Sequence, residues 1–550
     1  MNGAIRVVLL AAFLFFATAG SHASYGTPQR VQQWRVVEIT LASRLPHTDP
    51  FRDVDVTATF TSPKMTITRP AFWDGGNTWK IRFAPPVTGA WTYVTHASDS
   101  ADKGLDGCTG RIEAAPYNGD LAIYKHGFVT VSPNHRYFTY ADGTPFFYLG
   151  DTHWFAMRER FSSSNLPGAV SQFRHEVDRR VEQGFTVYQS EWMSVTRGKP
   201  AATLEEPGYD WADGITENDL PGFRNVDRKF AYLADRGLVV ANAMAWRGSI
   251  LGYDDEYIRR LARNWSARYG AYPVLWTMAQ EVDGSYPKDQ PGLDAKWQTM
   301  AEALSASDDY HHPLSAHMCN QTAAVASNSL WRDKPYHTWY AAQIQGGPLW
   351  ASCARDFWEA QPTKPAILYE PQYENFWTTE SGERHQGYAA FLSGFYGFGY
   401  GVAGIWDDSY SCDPPDRGTI YDKNCHVWYE ELERPSATQM TYLRRFFEAI
   451  DWWKLEPCYN IADRATLDEP KFARLAFSDR ATVLLLYNAT VKSGVLHRLK
   501  PGASYDASWY DPRRGAYILI GVVRADDGGN CAMPEKPDAN DYLLRLLREK

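Results

Sequence analysis

From residue 24 to about 117, apolar and polar positions alternate with the two-residue period of half-buried strands. VQQWRVVEITLAS, VDVTATFTSP, MTITRPAFWDGGNTWKIRFAPP and GAWTYVTHAS are separated by Gly, Pro and Asn, and Asp74-Gly75-Gly76-Asn77 reads as a hairpin-type turn between two Trp-bearing strands. The pattern predicts an N-terminal β-sandwich over 24–117, a packing partner for the next domain more than a sugar-binding module. Beyond it the period changes. Short apolar runs now alternate with amphipathic stretches. The runs are PFFYLGDTHW (145–154), GFTVYQSEW (184–192), LVVANAMAW (238–246), VLWTMAQEVD (274–283), HPLSAHM (312–318), HTWYAAQIQ (337–345), PAILYEPQYEN (365–375) and GYGVAGIWDD (399–408). Helices are expected behind nearly all of them, near 169–183, 226–236, 256–269, 292–305, 349–359, 384–396 and 437–450. Eight βα units predict a (β/α)8 TIM barrel over 118–455. A doubly wound sheet is disfavoured, since no G-x-G-x-x-G follows any strand. After Asp451-Trp452-Trp453 the strand pattern returns and predicts a C-terminal β-sandwich over 456–550.

Long connections come after the second and eighth runs, Met193–Phe223 and Asp407–Pro435. These lie at the end where a barrel keeps its active site, and structureless loops of such length are usually functional or disordered.

Composition sharpens this picture in three places. The 21 Trp, 33 Tyr and 26 Phe exceed what large aromatic cores would absorb and point to sugar stacking. A net charge of −9, with no Lys/Arg-rich run, argues against a nucleic-acid partner. Arg6, the apolar Val7–Ala17 and Ser21-His22-Ala23 form the three regions of a signal peptide. Cleavage is expected after Ala23, with no later membrane span and a secreted or periplasmic product. The seven cysteines then meet an oxidising compartment, where disulfides are the default and Cys412 with Cys425 the best candidate pair.

Two of the buried runs end on a carboxylate. VLWTMAQEVD reaches Glu281 and PAILYEPQYEN reaches Glu370. An acid at the C-terminal end of a barrel strand reads as catalytic more than as stabilising, and two on different strands are what glycosidic cleavage needs. Other strand ends would line the same mouth: Asp151, His153 and Trp154; Glu191 and Trp192; Trp246; Gln280; His317; Trp339; Trp406 and Asp407. The Asp, Glu and Gln residues read as partners for sugar hydroxyls and the Trp residues as stacking platforms or pocket walls. Asp151 leads this set, because Gly150 would allow close approach. Glu191 or Asp407 paired with Glu281 would suit an inverting mechanism, and a non-catalytic sugar-binding barrel is the reading outside the enzyme class. No metal-ligand spacing and no cofactor motif is present, and the expected partner is an oligo- or polysaccharide.

Tyr137–Phe147 (YFTYADGTPFF), Gly150-Asp151-Thr152-His153-Trp154, Gln280-Glu281-Val282-Asp283 and Trp509-Tyr510-Asp511-Pro512-Arg513-Arg514-Gly515 together resemble the apiosidase-like family of glycoside hydrolases. The resemblance implies an N-terminal sandwich, a catalytic barrel and a small collagen-binding-type C-terminal sandwich. It further implies a retaining, exo-type glycosidase acting on plant or microbial polysaccharide, with Glu281 as acid/base and Glu370 as nucleophile. In the wider clan of such barrels an Asn precedes the acid/base. Here Gln280 holds that position.

Overall fold

The computed structural model describes residues 27–193, 214–282, 292–318, 329–345, 350–407, 426–467, 473–487 and 493–548. Its centre is a sheet of seven parallel strands, in the spatial order Val274–Gln280, Val239–Trp246, Val187–Met193, Tyr148–His153, Gly397–Tyr400, Ala366–Glu370 and Tyr340–Gln343. The sheet curls until its two edge strands are separated by one stave. Residues 312–318 fill that gap. Leu314 bridges Trp276 on one side and His317 bridges Ala341 on the other. The Ser315 hydroxyl donates to the Trp339 carbonyl at 2.7 Å and accepts from the Ala341 amide at 3.1 Å, a side chain standing in for ladder bonds. Eight staves therefore surround the axis, as the spacing predicts, although the fifth is too irregular to count as a strand.

Helices behind the staves carry the expected stop and start signals. Ser171 caps Gln172–Glu182, Asp254 caps Asp255–Tyr269 and Thr379 caps Glu380–Leu392, each side chain accepting a first-turn amide. The helix expected to begin near 226 runs over Leu220–Asp235, with a Pro in its first turn.

Inside the barrel Tyr148, Val187, Val239, Leu275, Trp339 and Ile367 form one core. A three-stranded meander over residues 129–146 closes its floor, with Phe138 against Tyr148 and Trp339. Residues Pro145–Phe146 belong to that meander, so the first stave begins at Tyr148. Strand polarity then fixes the geometry: the floor lies where staves begin, and Glu281 and Glu370 lie where they end.

The N-terminal strands form a five-stranded and a three-stranded sheet. One apolar cluster runs from Ile39, Phe60 and Trp91 of these sheets into Phe230 and Trp265 of the barrel helices. Buried arginines cross the same boundary: Arg82 and Arg268 share Asp227 at 2.8 and 2.9 Å, and Arg69 donates to the Ser266 carbonyl at 2.6 Å. At the other end, a six-stranded and a three-stranded sheet make the C-terminal unit. It meets the barrel through Arg384 with Asp541 and through the Tyr510 hydroxyl, which donates to the Tyr442 carbonyl.

Among the described residues no helix is long and apolar enough to cross a membrane. Residues 1–26, Cys319 and the proposed Cys412–Cys425 pair lie outside the described residues. Cys108, Cys458 and Cys531 are free thiols among the described residues, which corrects the default of disulfides for them.

Candidate active site

Glu281 owes its position to a break in the fourth stave. The register of Val274–Gln280 against Val239–Trp246 slips between Asn242 and Ala245, and Met278 and Glu281 adopt positive φ of 61° and 56°. Neither is glycine, so each left-handed residue costs roughly 1–2 kcal/mol. Strain of this kind collects at functional sites because the surrounding structure must hold it there. The result aims Glu281 across the strand ends, half-buried, where the Gln343 side-chain amide donates to its Oε1 at 3.4 Å.

Glu370 ends the seventh stave with only 3% of its surface exposed. His317 Nε2 stands 3.0 Å from its Oε2. The His317 ring is itself fixed, stacked on Trp154 at 5.4 Å and edge-on to Tyr369. Tyr373 also faces Glu370, and Trp154 Nε1 donates to the Tyr373 hydroxyl at 2.9 Å. Two residues couple the acids. His317 touches Glu370 with its ring while its carbonyl accepts from the amide of Val282, next to Glu281. Gln343 touches Glu281 with its side chain while its backbone pairs with Glu370. Both carboxylates therefore close on one small volume at the strand ends.

Glu191 belongs to the same group. Gln189, two residues earlier, points into the barrel and donates to the Tyr369 carbonyl. The same parity turns Glu191 inward at the mouth. Burial pushes its pKa well above the usual carboxylate range, Arg158 opposes this and the charge of Glu281 adds to it.

Asp151 and His153 go elsewhere. Along Tyr148–His153 the even positions Gly150 and Thr152 face Gln189, and Gly150 is required there: a Cβ would lie 2.4 Å from the Gln189 Oε1. The odd positions face the helices. Asp151 accepts from Arg180 Nε at 2.6 Å and lies 2.8 Å from His153 Nε2, and His153 Nδ1 lies 2.6 Å from Glu159. Tyr188 stacks on that imidazole and donates to the other Glu159 oxygen at 2.5 Å. Burial alone would lower the His153 pKa, but Glu159 and Asp151 outweigh it and raise it to about 10. The same partners, Arg180 first, overcome burial and hold Asp151 below its usual range. Gly150 thus makes room for a core glutamine rather than a sugar, and Asp151 stands in a closed ion network. Within this network His153, Glu159 and Glu176 bring ligand atoms within 4.8 Å of one another, close enough for a metal ion, but both imidazole nitrogens already face carboxylates.

The remaining strand-end residues divide. Trp154 sits beside the acids, stacked on His317. Trp406 packs on Tyr373 and Phe376, and its carbonyl accepts from the Trp154 amide. Asp407 accepts from the Gly404 amide at 3.1 Å. Gln280 is half-buried at the end of its strand, paired through the backbone with Trp246, whose side chain lies outside the described residues. Trp192 faces outward onto Phe230. Trp339 is a correction: it precedes the sixth stave rather than lying along it towards the mouth, so it packs on Phe138 and Tyr148 in the floor. An aromatic group absent from the sequence-based candidates comes directly after Glu370. Tyr373, Phe376 and Trp377 stack together, and Trp377 keeps 42% of its surface exposed. Its signal is present in the chain, three rings within seven residues of a candidate acid.

Residues 132–454 match the family described as apiosidase-like, catalytic domain. The chain belongs to the apiosidase-like family. It is accordingly a glycoside hydrolase, and its substrate is a carbohydrate. Residues 30–98 match a second family, described as a domain of unknown function, DUF5060. The apiosidase-like chain is similar in fold to a Bacteroides vulgatus structure described as a glycoside hydrolase, at a TM-score of 0.70 and 18% identity over 95% of this chain and 100% of that one. A second B. vulgatus structure, of glycoside hydrolase family 5, gives a TM-score of 0.62 and 18% identity over 77% of this chain and 94% of that one. A further glycoside hydrolase gives 0.61 and 19% over 78% and 98%. No curated protein matches the chain.

Proposed function

We propose that the protein is a secreted, retaining glycosidase of plant or microbial polysaccharide in which Glu370 is the nucleophile and Glu281 the acid/base. The observation that carries this is the coupling of the two acids through His317 and Gln343 at the strand ends. In the first step the Glu370 carboxylate attacks the anomeric carbon while Glu281 gives its proton to the departing glycosidic oxygen. In the second, Glu281 takes a proton from water, and that water displaces Glu370 and restores both groups. His317 and Tyr373 orient Glu370, Gln343 orients Glu281, and the exposed face of Trp377 with Tyr373 behind it offers a platform for a sugar ring. Export is supported by Arg6 and the apolar stretch after it, and N-terminal sequencing of secreted protein tests cleavage after Ala23.

Turnover of a panel of aryl glycosides by wild type, Glu281→Ala and Glu370→Ala, each with added azide, tests the roles. Glu370→Ala should yield a glycosyl azide of inverted configuration, and Glu281→Ala one of retained configuration. Two variants as active as wild type would overturn the assignment.

One observation favours a second reading. Glu191 lies within electrostatic reach of Glu281, so an inverting pair of these two is geometrically open. The anomer first released, tracked by NMR, separates the readings, since only the retaining route gives net retention.

A further inference from the structure

At the end of the barrel opposite Glu281 and Glu370 lies a groove of about 1080 Å³. One wall comes from the floor, where Arg136, Trp358 and Tyr396 stand beside the beginnings of the staves. The other comes from the C-terminal sandwich, through Phe477, Arg480, Arg498, Lys500 and Arg548. Its volume is at the upper end of the range in which proteins enclose organic ligands.

The charge of this groove runs against that of the chain. The protein carries −9 overall, yet seven Lys and Arg line the groove against three acids, a surplus of four positive charges. Asp451, one of the three, is already tied to Lys454 at 3.1 Å. Among the described residues no carboxylate stands within ion-pair distance of Arg480, Lys500 or Arg548 (Arg498 reaches Asp463 only at 3.9 Å).

The cations are also held in place. The Arg136 guanidinium lies 3.8 Å over the Trp358 ring and donates to the Trp358 carbonyl at 2.7 Å. The Arg464 guanidinium lies 3.7 Å over Phe477 and donates to the Arg498 carbonyl at 3.1 Å. A guanidinium held over an aromatic ring has little freedom left to lose, and it keeps donors for a carboxylate. Half-buried Trp453 and Trp358 line the same space and suit the apolar faces of sugar rings. The concave shape between two domains excludes a lipid surface and admits a chain.

We propose that this groove is a second carbohydrate site, which binds a carboxylated polysaccharide, a polyuronate, away from the reacting end. It rests on the assignment to a glycoside hydrolase family and not on the roles given to Glu281 and Glu370. A polymer held there raises the local concentration of its own chain ends at the active site.

The test uses the full chain and affinity electrophoresis through gels containing polygalacturonate, dextran sulfate or a neutral β-glucan. Polygalacturonate should retard the protein most, and the retardation should fade as salt shortens the screening length. Arg480→Glu with Lys500→Glu, both exposed, should weaken the retardation about tenfold or more while leaving aryl-glycoside turnover unchanged. Arg480→Lys should keep most of it, which a mere folding defect would not reproduce. Retardation no greater than in neutral glucan, or unmoved by the double variant, would overturn the proposal. Equal retention in dextran sulfate would replace the carboxylate site by an unspecific anion site and overturn it too. The same gel run with Glu281→Ala keeps the two ideas apart. Retardation without any turnover in wild type sinks the catalytic reading alone.

Discussion

Two clusters of buried acids lie within one barrel wall of each other, and they are built in opposite ways. Outside the first and second staves, Asp151 and Glu159 face Arg180 and a protonated His153, so charge meets charge and Asp151 is held below its usual range. Inside, at the strand ends, Glu191, Glu281 and Glu370 face an amide, an imidazole, aromatic rings, Arg158 and one another. Buried ion pairs that are fully matched fix geometry and resist titration. Where buried carboxylates crowd together, burial and like charge push a pKa up, as they do at Glu191 against the pull of Arg158. The contrast separates the two clusters more sharply than burial does, because Asp151, Glu159, Glu191 and Glu370 are all buried.

The largest expected effect tests the inner cluster. Glu281→Ala and Glu370→Ala should each lower kcat/KM on an activated glycoside by about 10³-fold or more, with the thermal midpoint unchanged or raised. The outer cluster should answer in the other direction. Asp151→Ala leaves Arg180 and His153 buried without their shared partner, and breaking such a pair costs about 3–5 kcal/mol. Denaturant unfolding should show that loss, and the folded fraction should turn over substrate with nearly normal kcat. If instead Asp151→Ala folds well and has no activity, the division between the clusters is wrong.

The pH response sharpens the same division. His153 is held at about 10 when folded against 6.5 unfolded. Its contribution to stability is therefore complete below pH 6.5 and is lost as pH rises towards 10, by a few kcal/mol at the order-of-magnitude level. The thermal midpoint of wild type should fall through that interval, and that of His153→Gln should fall less. A wild-type midpoint flat from pH 6.5 to 10 would mean that the imidazole is neutral and the outer cluster is not charge-matched.

Barrel geometry explains which parts of the two clusters are legible in the chain. Glu281 and Glu370 are legible because each closes an apolar run, and such a run can only be a buried stave with a defined exit. The staves themselves are legible for the same reason, even residues 312–318, where Ser315 replaces ladder bonds with its side chain. Which face a residue takes is not legible. Both faces of a barrel strand are buried, so Leu149, Asp151 and His153 show no alternation to mark them as outward. Gly150 has the sequence signature of an opening for substrate and serves Gln189 instead. Trp339 reads as lying along its stave and stands just before the start, since a short apolar run does not announce where its pairing begins. The left-handed turn at Met278 and Glu281 has no sequence signal at all, because neither position is a glycine.

The smallest expected effect falls on the residue that belongs least clearly to either cluster. Glu191 is buried at the mouth, raised well above the usual carboxylate range by burial and by Glu281, with Arg158 opposing. A glutamine matches its shape, and the shift towards the neutral form brings the two closer in charge. Glu191→Gln should therefore change kcat/KM by about threefold or less, which is below ~1 kcal/mol. Its effect should appear mainly at alkaline pH. There wild-type Glu191 gains a charge that the variant lacks. The alkaline limb of the pH–rate profile is accordingly where wild type and Glu191→Gln should differ. An inverting enzyme would need Glu191 ionised as the base, and the same substitution would then cost about 10²-fold or more. One isosteric change thus decides whether the inner cluster works through Glu281 with Glu370 or through Glu281 with Glu191.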